Sequence, residues 1–267
     1  MASELPDDFL SEPAENLTAS KVDFTQTQLP EHAMCYACVI DNALTPSECR
    51  ILIDAAEARA SASSSGAWGR ATVNVGQGHQ ALYEENRKCG RVIWPSQDLA
   101  DRFWKRIEAL PEVQEILRLE ERPRVTGFGP YKRKEVWKLS RANDYLRFLK
   151  YEGGGYFRPH CDADYATEDG REKAYFTLHI YLNDAGEFAA SSLPSLSISA
   201  SSSSVVSCLI GGATTFHGMD MKRRFDVVPK AGRILLFQHR DLMHSGDDVV
   251  QGKKFTIRTD LMYAKEN

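Results

Sequence analysis

From Tyr145 onward, apolar and polar residues alternate with a period of two in short runs separated by turns, the pattern of an all-β sandwich or barrel. The clearest run is Tyr175 to Asn183. Phe176, Leu178, Ile180 and Leu182 face one way, and Tyr175, Thr177, His179, Tyr181 and Asn183 the other. One face packs on an outer shell and the other looks into a polar pocket. Thr214–Phe216, Phe225–Val228, Arg233–Phe237 and Lys254–Met262 supply further strands. Upstream, after a strand at Met34–Ile40, the period changes to that of helices. Thr45 caps the first, with Pro46 and Glu48 in its opening turn and Cys49, Leu52, Ile53 and Ala56 as its apolar stripe. Lys88–Trp94 is a short strand. Ser96 then starts a second helix through Leu99, Phe103, Trp104, Ile107 and Leu110, and Pro111 to Leu117 a further turn. Residues 61–80 form a loop, and 121–143 a long irregular connection. Its basic cluster Lys132, Arg133 and Lys134 is either solvated or a lip at the mouth of a site.

Composition refines this outline. Residues 1–30 are rich in Glu, Asp, Ser and Pro and predict a disordered N-terminal arm, which leaves 31–267 as one domain, with helical support over 31–143 and a β core over 144–267. With 42% hydrophobic and 26% charged residues, the chain has material for one large core. A net charge of −4 and a pI near 6.0 give no basic footprint, so neither nucleic acid nor an anionic membrane is expected as a partner. No apolar run of about 18 residues and no basic-then-apolar leader occurs, so the cytoplasm is the expected location. The six scattered cysteines are expected to be free thiols there. Cys35-x-x-Cys38 lies in an apolar strand without two further ligands at matching spacing, so buried structural cysteines are the expectation. The sequon at Asn16 is idle without secretion. A Ser-rich, low-complexity stretch over 185–210 interrupts the β pattern, and two readings of it stand: a lid over the site, or intron sequence retained in the gene model.

Candidate chemistry gathers between Tyr151 and Asp162, where Gly153–Gly155 turn the chain and His160-Cys161-Asp162 follows. Residues two apart on a strand project to the same side, so an imidazole and a carboxylate leave one strand end together. They supply two of the three ligands of a two-histidine, one-carboxylate site with open metal positions. Downstream come Tyr181-Leu182-Asn183, Gly211-Gly212-Ala213-Thr214-Thr215-Phe216, His244 and the cations Lys254 and Arg258. Lys254, Thr256 and Arg258 share a strand face. Two cations facing one buried pocket are costly without an anion, which argues for a bound dianion.

Taken together, Tyr151, the glycine turn, His-x-Asp, the distal histidine and the strand-borne cation resemble the iron(II)- and 2-oxoglutarate-dependent dioxygenases, in their prolyl 4-hydroxylase-like branch. The resemblance spans about Leu146 to Tyr263. It implies a mainly β fold, a double-stranded β-helix (jelly roll, cupin-like) with flanking N-terminal helices. It implies iron(II) on His160, Asp162 and His244, and 2-oxoglutarate on Lys254, in the Gly252-x-Lys254 pattern, with Arg258, Tyr151 and Tyr181 beside it. His179 and Thr256 are candidates for substrate or supporting contacts. The implied reaction consumes O2, converts 2-oxoglutarate to succinate and CO2, and hydroxylates an unactivated C–H bond of a small metabolite or a peptidyl or prolyl substrate, with ascorbate supporting activity. The alternative is a non-catalytic metal- or 2-oxoglutarate-binding or sensing protein of the same fold; a cupin-like storage protein or isomerase would not need Lys254 and Arg258.

Overall fold

The structure, a computed structural model, describes residues 5–12, 14–74, 80–186 and 208–266. A short edge strand, β1 (Thr18–Lys21), pairs antiparallel with β2 (Ala37–Asp41). Thr45 then opens α1 (Pro46–Ser61) with a complete capping box: its hydroxyl accepts from the Glu48 N–H while the Glu48 carboxylate accepts from the Thr45 N–H. β3 (Arg87–Lys88) and β4 (Gly90–Pro95) follow, and Ser96 caps α2 (Gln97–Lys105). β5 (Trp137–Ala142) precedes eight strands: β6 (Tyr145–Tyr151), β7 (Tyr156–His160), β8 (Glu172–Tyr181), β9 (Thr214–His217), β10 (Arg224–Val227), β11 (Ile234–Gln238), β12 (His244–Gly246) and β13 (Lys254–Lys265).

These eight strands divide equally between two antiparallel sheets. The larger runs β1-β2-β11-β8-β13-β6-β4, with β5 joining the far half of β13, and the smaller runs β10-β9-β12-β7-β3. Except for β9 and β10, a pair within the small sheet, successive strands cross between the sheets, which is the double-stranded β-helix. The alternation along β8 sets what each face meets. Phe176, Leu178 and Ile180 pack with Leu52, Ile53 and Ala56 of α1 and Leu99 and Phe103 of α2 in the principal core. Thr177, His179 and Tyr181 point between the sheets, where Tyr181 joins Phe216, Leu235 and Phe237 in a second core. The helices therefore brace the back of the large sheet, and the space between the sheets is left for polar chemistry.

Two expectations change. The segment expected to be a disordered arm is, over its described residues, part of the fold: β1 extends the large sheet, and Phe9, Leu10, Phe24 and Leu29 are buried. Arg106, itself buried, holds this segment by donating to the carbonyls of Leu10 (3.2 Å) and Ala43 (3.0 Å) and to Glu48 (2.6 Å). Four well-spaced apolar residues suffice to anchor a chain whose average composition is polar. The connection over 121–143 likewise contains two short helices, Pro123–Thr126 and Phe128–Lys132, and the strand β5. Arg133 of its basic cluster pairs with Glu135 at 2.8 Å, and none of the three cations lines the cavity described below.

Most of the Ser-rich stretch, residues 187–207, lies outside the described residues, as therefore does the choice between its two readings. Its flanks are described and adjacent: Ala185 bridges Leu209, and the Gly186 N–H donates to the Leu209 carbonyl at 2.7 Å. Leu209 is buried against Tyr151 and Val249. Among the described residues, no helix is long and apolar enough to cross a membrane.

Candidate active site

His160 ends β7 and His244 begins β12, and the two are direct cross-strand partners with ring centroids 4.4 Å apart. Asp162, two residues beyond His160, lies between them: His160 Nε2 is 3.7 Å from its Oδ1 and His244 Nε2 3.8 Å from its Oδ2. The three donor atoms lie within 4.8 Å of one another, and theirs is the one cluster of three or more such groups with metal-holding geometry among the described residues. Each imidazole is fixed by its other nitrogen. His160 Nδ1 faces the Arg158 carbonyl at 2.8 Å and His244 Nδ1 the Leu242 carbonyl at 3.1 Å. A carbonyl only accepts, so both Nδ1 atoms carry the proton and both Nε2 lone pairs face Asp162. Burial, reinforced by His160, pushes His244 down to about 3, so its imidazole is neutral at ordinary pH.

Asp162 is the most elaborately held of the three. Thr177 Oγ1 donates to its Oδ2, and Arg258 Nη2 lies 2.8 Å from its Oδ1. Burial alone would raise this carboxyl, but the Arg258 guanidinium and the His244 imidazole outweigh it and hold the group well below the usual carboxylate range. Arg258 also pairs with Asp260 at 3.2 Å, and Asp260 with Arg147 at 3.1 Å, so a chain of alternating charges leads from the site into the large sheet. Arg258, expected beside the co-substrate, lines the cavity and is paired with Asp162.

Lys254 is the contrasting cation. It is 2% exposed and lies over the rings of Tyr151 (5.3 Å) and Tyr181 (5.6 Å), and no carboxylate among the described residues is within ion-pairing distance. Burial lowers it to about 8. Register explains the grouping: on β13 Lys254 faces Tyr151 of β6, and Thr256 faces Tyr181 of β8. Tyr181 donates to Thr214 Oγ1 at 2.7 Å, whereas His179 Nε2 and Thr256 Oγ1 are buried without a hydrogen-bond partner among the described residues. Burial, with Lys254 and Arg258 nearby, drives His179 well below its ordinary value, so it is neutral. Lys254, Tyr151, His179, Arg258 and the three candidate ligands line one cavity of about 40 Å3 between the sheets.

Two imidazoles whose Nε2 atoms are turned toward an ionised carboxylate fit iron(II), and an uncompensated buried ammonium beside orphaned polar atoms fits the carboxylate of a co-substrate. Sequence reasoning missed Thr177 and Arg258 as partners of Asp162, and Arg87 in the cavity wall. The position of Thr177 on the pocket face of β8 carried a signal; that of Arg87, in a two-residue strand, carried none.

A β-helix with two imidazoles and a carboxylate between its sheets, and a buried lysine in the same cavity, fits a metal-dependent oxygenase that uses a keto acid. Residues 146–259, which carry the three candidate ligands and Lys254, match the family model described as 2OG-Fe(II) oxygenase superfamily, a match to an iron(II)- and 2-oxoglutarate-dependent dioxygenase domain. No curated relative matches the chain. Among solved structures it is similar to a viral collagen prolyl hydroxylase from Paramecium Bursaria Chlorella virus-1, at 17% identity over 85% of this chain and 96% of that one, with a TM-score of 0.48. It is also similar to a Pseudomonas putida prolyl-4-hydroxylase, at 15% identity over 91% and 96% with a TM-score of 0.49. A Trichoplax adhaerens prolyl hydroxylase in complex with a hypoxia inducible factor peptide fragment is similar at 17% identity over 84% and 82%, with a TM-score of 0.47.

Proposed function

We propose that the chain hydroxylates an unactivated C–H bond of a small metabolite or of a peptidyl or prolyl substrate, with His160, Asp162 and His244 holding iron(II) and Lys254 holding the distal carboxylate of 2-oxoglutarate. The observation that carries this reading is the buried, unpaired Lys254 in the same cavity as the three ligands. A buried cation without a counter-charge is unfavourable, and an incoming carboxylate removes that penalty. Tyr151 and Tyr181 wall the ammonium and exclude water from it, and Thr256 and His179 offer the co-substrate two buried polar atoms that lack partners.

The bound iron would supply the redox chemistry that couples oxidative decarboxylation of 2-oxoglutarate to succinate with hydroxylation of the substrate. The protein's own work is orientation. The Arg158 and Leu242 carbonyls fix the imidazoles, and Thr177 and Arg258 fix the carboxylate and keep it ionised. The complete ligand set and the lysine support catalysis over the non-catalytic alternative. The six cysteines are all free, which supports a reducing compartment, the cytoplasm.

The test is succinate formation from 2-oxoglutarate with iron(II), ascorbate and O2, alongside Mn(II) binding measured without O2. Wild type is expected to bind Mn(II) and form succinate, and His160→Ala to lose both. Succinate formation that persists in His160→Ala would sink the assignment.

A further inference from the structure

Arg87 is a second buried cation in the metal cavity that lacks a carboxylate partner. It is 6% exposed, and no carboxylate among the described residues pairs with it. Its Nε donates to the Cys89 thiol at 3.2 Å, its guanidinium lies 4.4 Å over the Phe157 ring, and the Tyr151 hydroxyl is its other polar neighbour. Phe157 in turn stacks on His160, with centroids 3.6 Å apart and planes 25° from parallel. Arg87, Phe157 and His160 thus form a three-layer stack ending at a candidate metal ligand. Arg87 also lines a second, larger cleft of about 540 Å3, walled by Trp68, Lys88, Lys150 and Glu152. Arg87 thus lines both cleft and cavity, whereas Lys254 lines the cavity alone.

Charge separates the roles of the two cations. Arg258 is matched by Asp162 and Asp260, while a dianionic co-substrate spends one carboxylate on Lys254 and the other on a divalent metal. With metal and co-substrate both present, the lining of the cavity still carries an excess of positive charge, and Arg87 is the group left without an anion. Guanidinium prefers a two-pronged partner such as a carboxylate.

Resting on the oxygenase reading above, we propose that Arg87 receives a carboxylate of the substrate being oxidised. The substrate is then a small organic acid of the free amino acid or hydroxy acid kind, entering through the cleft with its acid group on Arg87 and its C–H bond toward His160.

The test uses the full chain loaded with Mn(II) and 2-oxoglutarate in the absence of O2, titrated calorimetrically with free L-amino acids and 2-hydroxy acids and with the primary amide of each. At least one free acid is expected to bind at least ~10-fold more tightly than its amide, because a site built for a charged partner rejects the neutral analogue. Arg87→Met is expected to lose that preference and Arg87→Lys to keep part of it, while 2-oxoglutarate affinity in Arg87→Met stays within about twofold of wild type, which also reports an intact fold. A loss of 2-oxoglutarate affinity of about tenfold or more in Arg87→Met would assign Arg87 to the co-substrate and overturn the proposal. So would amides binding as well as acids, or no free acid binding. A wild-type chain that takes up neither Mn(II) nor 2-oxoglutarate fails before any acid is added, and that outcome overturns the oxygenase reading itself.

Discussion

Lys254 and Arg258 sit four residues apart on one strand and have opposite electrostatic situations. Arg258 is neutralised in place by Asp162 and Asp260, so its removal leaves a buried carboxylate less well held. Arg258→Met is expected to weaken Mn(II) binding by about 10- to 100-fold, the range for groups that orient metal ligands. Unchanged metal affinity would show that Thr177 alone suffices. Lys254 is lowered by burial from 10.5 to about 8, so the sign of its effect runs the other way from a paired lysine. Above about pH 8 the folded, anion-free chain has released this proton while the unfolded chain keeps it up to 10.5, so stability rises with pH through that window. With Lys254 as the proposed anchor, the co-substrate meets an ammonium only below that point, so the apparent Kd for 2-oxoglutarate should rise roughly tenfold per pH unit above it. An affinity that stays flat across the window would exclude Lys254 as the anchor. Which cation takes which role was beyond the sequence, since alternation places both on the same face and only cross-strand distances show that one of them already has carboxylate partners.

At the level of elements, the strand and helix periods were legible because most of them have one wet and one dry face. From Phe176 to Tyr181 the alternation of β8 appears in the structure as the pattern predicts, and Thr45 caps α1; Tyr175, expected on the pocket face, packs in the principal core instead, where the register of β8 on β13 shifts between Ala174 and Phe176. Thr45→Ala should cost about 1 kcal/mol, read as a lowered denaturation midpoint. The N-terminal segment was not legible, because composition averages over the four apolar residues that do the anchoring. Phe24 is 1% exposed and meets Phe216 edge-on at 5.8 Å, directly behind the strand that pairs with β12. Phe24→Ala is expected to destabilise the fold by about 3–5 kcal/mol. A loss under about 1 kcal/mol would restore the picture of a dispensable arm. The tautomer-fixing carbonyls of Arg158 and Leu242 had no sequence signal at all, since every residue carries a carbonyl and only backbone geometry selects these two.

For the whole molecule, the division of labour between the sheets governs what change is tolerated. The large sheet is braced by helices on one side and carries Tyr151, Thr177, His179, Lys254 and Arg258 on the other, while the small sheet contributes the two histidines. Substitutions in the brace should therefore act on stability before they act on chemistry. The stretch 187–207 leaves and re-enters this frame at neighbouring points, Ala185–Gly186 and Leu209, already tied by a bridge and a 2.7 Å hydrogen bond. Replacing it by a short turn is expected to preserve both the melting temperature and succinate formation, and a collapse of either would show that the frame depends on it. Because Ala185–Gly186 and Leu209 are joined directly, they mark a place where added chain length is expected to leave the frame intact. A fluorescent reporter or a recruiting domain grafted between Gly186 and Cys208 would be carried at a fixed address beside Leu209, which packs on Tyr151, and could signal occupancy of the site.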